Sequence, residues 1–170
     1  MAALDGIDVL WRYRFTEEEG NEAAWGLAYT TESGYSKSKS SETTITKDGT
    51  VVTPGAVETT ASATTLYKVG DTRIDELEEK GIDAGKRMQL WRISTKEAGT
   101  GENASKYKAK YFEGYLTTFE PTDNAEDKVE YSLEWSIEST GKNGYATLVI
   151  DDSDGGDYAF KDTVKVEAAP

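Results

Sequence analysis

The chain has 170 residues, 36% hydrophobic and 30% charged, enough for one domain with its own core, and its four tryptophans and ten tyrosines argue against disorder. Nineteen basic residues stand against 32 acidic ones; the net charge of −13 opposes nucleic-acid affinity and makes copies of the chain repel at long range. With no cysteine and no histidine, disulfides, thiolate chemistry, His-ligated metals and imidazole catalysis are excluded, and no cofactor is expected.

The first residues carry neither a basic stretch nor an apolar one, and no run approaches eighteen apolar residues, so neither a signal peptide nor a membrane span is expected. Ile7, Val9, Trp11, Tyr13 and Phe15 alternate with polar residues and predict a half-buried strand, which the acidic run 17–19 with Gly20 and Asn21 ends. Trp25, Leu27, Tyr29 and Thr31 predict a second strand. Residues 33–46 are basic and hydroxylated, and Asp48-Gly49 is a hairpin turn signal between two β-branched flanks. Those flanks have little apolar surface to bury. Residues 35–57 are therefore expected as a long extended loop or hairpin that needs a partner to become ordered.

Residues 58–69 predict a further strand. A short acidic helix follows over about 72–84, with Asp71 or Thr72 as N-cap, an apolar face of Ile74, Leu77 and Ile82, and Gly81 or Gly85 at its end. Met88, Leu90, Trp91 and Ile93 predict a strand, and 95–105 a loop. In the next strand Tyr107, Ala109, Tyr111, Tyr115, Thr117 and Phe119 share one face, with Lys106, Lys108 and Lys110 on the other. Then Val129, Tyr131, Leu133, Trp135 and Ile137 alternate with a row that includes Glu130, Glu134 and Glu138. Gly141 to Gly144 predicts a hairpin into 145–150. Residues 151–157 form an acidic link, and Tyr158, Phe160, Val164 and Val166 a C-terminal arm.

The residues offer little to catalysis. The acidic link fails the calcium-loop spacing, since counting from Asp152 the fifth position is Gly156. The Glu130/Glu134/Glu138 row is the pattern of a solvent- or interface-facing sheet surface rather than a hydrolase pair. The glycines show no phosphate-cradling order. The lysine row is expected to pair with an acidic row such as Glu130/Glu134, across strands or between copies.

Several strings in order carry a resemblance. They are Leu27-Ala28-Tyr29-Thr30-Thr31-Glu32, Thr46-Lys47-Asp48-Gly49-Thr50-Val51-Val52-Thr53, Lys106-Tyr107-Lys108-Ala109-Lys110-Tyr111 and Gly114-Tyr115-Leu116-Thr117-Thr118-Phe119-Glu120. Ala125-Glu126-Asp127, Val129-Glu130-Tyr131 and Gly144-Tyr145-Ala146-Thr147-Leu148 complete the set. Over residues 5–150 the chain resembles the major tail proteins, the tail-tube subunits, of long, non-contractile-tailed bacteriophages.

The resemblance implies a mainly β, antiparallel sandwich- or barrel-like fold with one flanking helix over residues 1–150, followed by the link and arm of 151–170. It implies a non-enzymatic virion protein, assembled in the host cytoplasm, whose hexameric rings stack into a tube that conducts the genome. The implied partners are further copies of the chain, tape-measure and tail-completion proteins, and DNA in transit, with no membrane. Tyr35, Lys37, Lys39, Lys47, Asp48, Gly49, Val51 and Val52 become the candidates for contact between rings or subunits. The lysine and glutamate rows become lumen or interface surfaces. Two readings stay beside this one: a monomeric sandwich binding carbohydrate or a host surface through aromatics such as Tyr35 or Tyr158, and a carboxylate-dependent hydrolase.

Overall fold

The computed structural model describes residues 2–148 and 163. Its frame is one six-stranded antiparallel sheet in the order β1-β4-β5-β6-β3-β2, built from β1 (Val9–Phe15), β2 (Thr30–Thr46), β3 (Gly49–Leu66), β4 (Met88–Ala98), β5 (Tyr107–Thr122) and β6 (Glu130–Ala146). A five-residue helix α1 (Thr72–Glu76) runs into a wider π-helical turn, Leu77–Asp83. Asp71 is the N-cap, its carboxylate accepting from the Arg73 N–H at 3.0 Å. No helix among the described residues is long and apolar enough to cross a membrane.

A lone sheet with one apolar face must cover that face, and this one curls over itself to do so. Tyr13 of edge strand β1 stacks on Trp135 of β6 with centroids 4.9 Å apart, and Trp11 lies 6.0 Å from Phe112 of β5. Tyr35 of the opposite edge strand reaches the same cluster, 5.0 Å from Phe112 and 6.4 Å from Trp11. Met88, Leu90, Leu116 and Leu133 fill the space between the rings. Ile74 and Leu77 add the helix to this core, and Gly81 lies so close to Leu116 that a Cβ would approach it to 2.9 Å. Trp135 is fully buried, and its indole N–H donates to the Met88 sulfur at 3.2 Å.

Several sequence expectations are corrected here. Ile7 lies in a 3-10 turn before β1 and is 85% exposed. The expected strand over 25–31 is absent up to Tyr29, and β2 begins only at Thr30. Trp25 makes only a two-hydrogen-bond bridge to Tyr13, Leu27 and Ala28 are both buried, and Tyr29 has a positive φ of 52°. Ile82 points outward, because the wide turn rotates it off the Ile74/Leu77 face. Strand β4 continues to Ala98, well into the expected loop.

The face of β5 is the largest correction. Phe112, Gly114 and Leu116, in register with the lysines, face the core, while Tyr115 and Thr117 are exposed. An extra residue between Leu116 and Thr118 then shifts the pairing with β6, so that Phe119 returns to the core side. Gly114 is required where it is, since a Cβ there would run into the Ser136 carbonyl.

Trp135→Ala is expected to lower stability by about 3–5 kcal/mol, read as a shift in the denaturant midpoint with little change in slope. Burial also raises the Tyr13 phenol above its ordinary value, partly countered by Arg12. A raised folded pKa means that its contribution is complete below about pH 10 and is lost as pH rises toward the folded value. Thermal melts from about pH 9 to about pH 11.5 should show an alkaline fall in Tm that Tyr13→Phe reduces.

Candidate assembly surfaces

Three surfaces follow from this frame. The first is the β2–β3 ribbon. Only residues 59–66 of β3 pair with β6, so beyond Lys37 and Glu58 the two strands pair with each other alone. At about 3.3 Å per residue the ribbon projects roughly 30 Å from the sheet. Lys47 and Asp48 form the tip, with Gly49 at a φ of 136° that a side chain would strain.

The register sorts the ribbon's two faces. Thr43 opposes Val52, Ile45 opposes Thr50, and Ser41 opposes Pro54. Ile45, Val52 and Pro54 therefore share the face that continues from Tyr35, Lys37 and Lys39, while Val51 lies on the reverse. Ile45 is 85% exposed and Val52 59%. The strand sides are rich in threonine, which favours extended backbone, and in serine, and both bury little. Lys37, Lys39 and Lys47 balance Glu42, Asp48 and Glu58, so residues 37–58 carry no net charge in a chain of −13. Tyr35, expected among the docking residues, instead packs on Trp11 and Phe112 at the ribbon's root. Its ring is half-buried.

The second surface is the outward face of the sheet. Leu133, Trp135 and Ile137 point inward, so Glu134 and Glu138 stand outside with Ser136 between them. Glu138 sits opposite Glu113, Glu134 opposite Thr118 and Ser62, and Glu130 opposite Thr122. Among the described residues Arg87 answers this cluster. Arg87 binds Glu138 at 2.7 Å and also pairs with Glu113, whose other oxygen accepts from the Tyr111 hydroxyl at 2.6 Å. Burial raises the Tyr111 pKa, and the Glu113 hydrogen bond and charge add to the effect. Glu120, Glu130 and Glu134 have no ion-pair partner among the described residues.

The lysine row does not meet this acidic row. Lys108 and Lys110 oppose Tyr145 and Asn143 at the far end of β6, and on the core-side face. Lys108 pairs instead with Glu97 at 3.6 Å. No cluster of metal-ligating side chains occurs among the described residues.

The third surface is the pair of sheet edges. β2 is an edge strand over its whole length, Thr30–Thr46. β1 is the other edge, with the Tyr13–Trp25 bridge closing its middle. Unpaired edges invite pairing with further strands. Tyr158, Phe160, Val164 and Val166 of the expected C-terminal arm lie outside the described residues.

The family model described as phage tail tube protein matches residues 3–143. A putative tail protein of Staphylococcus phage phiMR25 is 33% identical over 145 residues, which cover 84% of this chain and 75% of that protein. The SPP1 tail tube superposes with a TM-score of 0.70 at 19% identity, covering 86% of this chain and 81% of that one. The tail of an empty gene transfer agent particle, of C6 symmetry, superposes with a TM-score of 0.54 at 14% identity, covering 85% of this chain and all of that one.

Arg87→Gln should cost about 1 kcal/mol in urea unfolding, because it leaves Glu113 and Glu138 facing each other without a cation. Glu130→Gln and Glu134→Gln should each stay within about 0.5 kcal/mol of the parent, since neither breaks a contact.

Proposed function

The chain belongs to the phage tail tube protein family, and from that membership we propose that it closes into hexameric rings whose stacking makes the tube continuous. It is a structural protein of the virion tail, and its role is to form the tube. The observation that carries the ring-stacking reading is the ribbon of residues 37–58: a neutral, roughly 30 Å projection with exposed Ile45 and Val52 and no core of its own. Such an element gains its order and burial from a neighbour. Its neutrality lets it approach an acidic copy without net repulsion.

Within a ring, the edges β2 and β1 supply the backbone groups through which sheets of adjacent copies join. A head-to-tail contact that closes gives a ring, and closure removes both open edges. The Glu120/Glu130/Glu134 face then lines the channel, where carboxylates repel phosphate and keep DNA from adhering as it passes. Residues 1–150 form the tube body, and residues 151–170, with Tyr158, Phe160, Val164 and Val166, add a terminal contact between rings. The chain has no catalytic task. Tape-measure and tail-completion proteins limit the tube, which forms in the host cytoplasm before it becomes part of the virion.

Purified protein at raised concentration should form tubes in negative-stain micrographs, more readily as salt screens the charge of −13. Ile45→Lys combined with Val52→Lys should leave the monomer's unfolding midpoint nearly unchanged and abolish tubes. Normal tubes from that variant would overturn the ribbon's role.

A further inference from the structure

The two ends of β3 are unlike. One leads into the ribbon beyond Glu58; the other stops at Leu66, opposite Glu130 of β6. At that second end the core face of the sheet runs out in three half-exposed rings. Tyr131 lies 5.7 Å from Tyr67 and 5.3 Å from Phe119, and all three pack against the margin of the core. Val69, two residues past Tyr67, is 91% exposed. Rings that the subunit covers only in part still have apolar area to bury.

Acids surround these rings. Burial raises the pKa of the Tyr131 phenol, and Tyr67, Asp123, Asp75 and Glu78 add to the effect. Asp75 belongs to α1, Glu78 to the wide turn after it, and Asp123 to the β5–β6 connection. Among the described residues none of these three carboxylates has an ion-pair partner. From Glu120 to Asp127 the chain carries four acids and no cation.

The ribbon is sided to match. Lys37 and Lys39 share the face of Ile45, Val52 and Pro54, and Val57, opposite Lys39, joins them. Glu42, opposite Thr53, and Glu58, opposite Ser38, lie on the reverse. One side of the paired strands is therefore apolar and cationic, without an acid. Both surfaces continue the core face of the sheet, at opposite ends of one strand. A copy shifted along the β3 direction brings the ribbon face of one subunit over the rings of the other. Val52 and Tyr67 are 15 residues apart on the strand, about 50 Å of extended chain, so the two surfaces do not meet within one subunit.

We propose that the Tyr67–Phe119–Tyr131 surface is the acceptor for the apolar, lysine-bearing face of another copy's ribbon. The assignment rests on the ribbon-mediated stacking proposed above and names its receiving side. Ile45 and Val52 lie on the rings, and the surrounding carboxylates meet the ribbon's lysines.

The chain has no cysteine, so thiols can be placed singly. Tubes of a chain carrying both Val52→Cys and Val69→Cys, treated with a short bis-maleimide, should give a ladder of covalent multimers on denaturing gels. Either substitution alone should give nothing beyond a dimer. Glu78→Lys with Asp123→Lys should raise the concentration needed for tubes about tenfold, since like charges then face each other across the contact. Adding Lys37→Glu and Lys39→Glu should bring it back. Tubes without the ladder, or a charge reversal without effect or without rescue, would overturn the acceptor and leave stacking by the ribbon standing. No tubes from the parent chain, or normal tubes from the Ile45→Lys/Val52→Lys variant, would instead overturn ring stacking by the ribbon, and this acceptor with it.

Discussion

Everything in this molecule depends on the stacking of aromatic rings across a curled sheet. Among the described residues the sheet's apolar face has only a small helix to pack against, so it buries that face on itself. Trp11 and Tyr13 do this from one edge, Tyr35 from the other, and Phe112 and Trp135 receive them in the middle. Each large ring buries roughly 150–250 Å². That is how a chain with only 36% hydrophobic residues obtains a core. The same closure decides what stays outside: the glutamate face, both edges and the ribbon.

Tyr35 marks the boundary between two regimes. Behind it the sheet is held by the core. Ahead of it the ribbon has backbone hydrogen bonds and hydroxyl side chains but no apolar interior. The division matches the proposed role, in which the body folds alone and the projection gains stability on meeting another copy. The charge pattern follows the same line, with the negative excess on the body and residues 37–58 balanced.

Much of the architecture was readable from period-two alternation. It is clean in β6, where Leu133, Trp135 and Ile137 occupy one face without interruption. In β5 the same rule selects the wrong face before the bulge, because two sets of large residues compete. Tyr107, Tyr111 and Tyr115 outnumber Phe112 and Leu116 and look like the core, yet phenols tolerate a wet surface and Phe112 does not. The extra residue at the bulge then changes the parity, and nothing in the local sequence announces it. Trp25 to Tyr29 alternates as well but pairs only through the Trp25 bridge to Tyr13 until the chain turns into β2 at Thr30. Asp48-Gly49 was sufficient for the ribbon's turn, whereas Tyr35's place in the core depends on a contact with Trp11 that no short-range pattern encodes. The Arg87 link between Glu113 and Glu138 has the same origin: a residue just before β4 meets the middles of β5 and β6, distant in sequence.

The Tyr13–Trp25 bridge has a geometric consequence of its own. It occupies the middle of one border of the sheet, whereas among the described residues the other border, Thr30–Thr46, carries no such clasp. The two borders are therefore unlike, and the subunit has a polarity: joining like to like about a two-fold axis would satisfy one border and strand the other. Propagation in a constant sense, each copy handing its open border to the next, wastes neither.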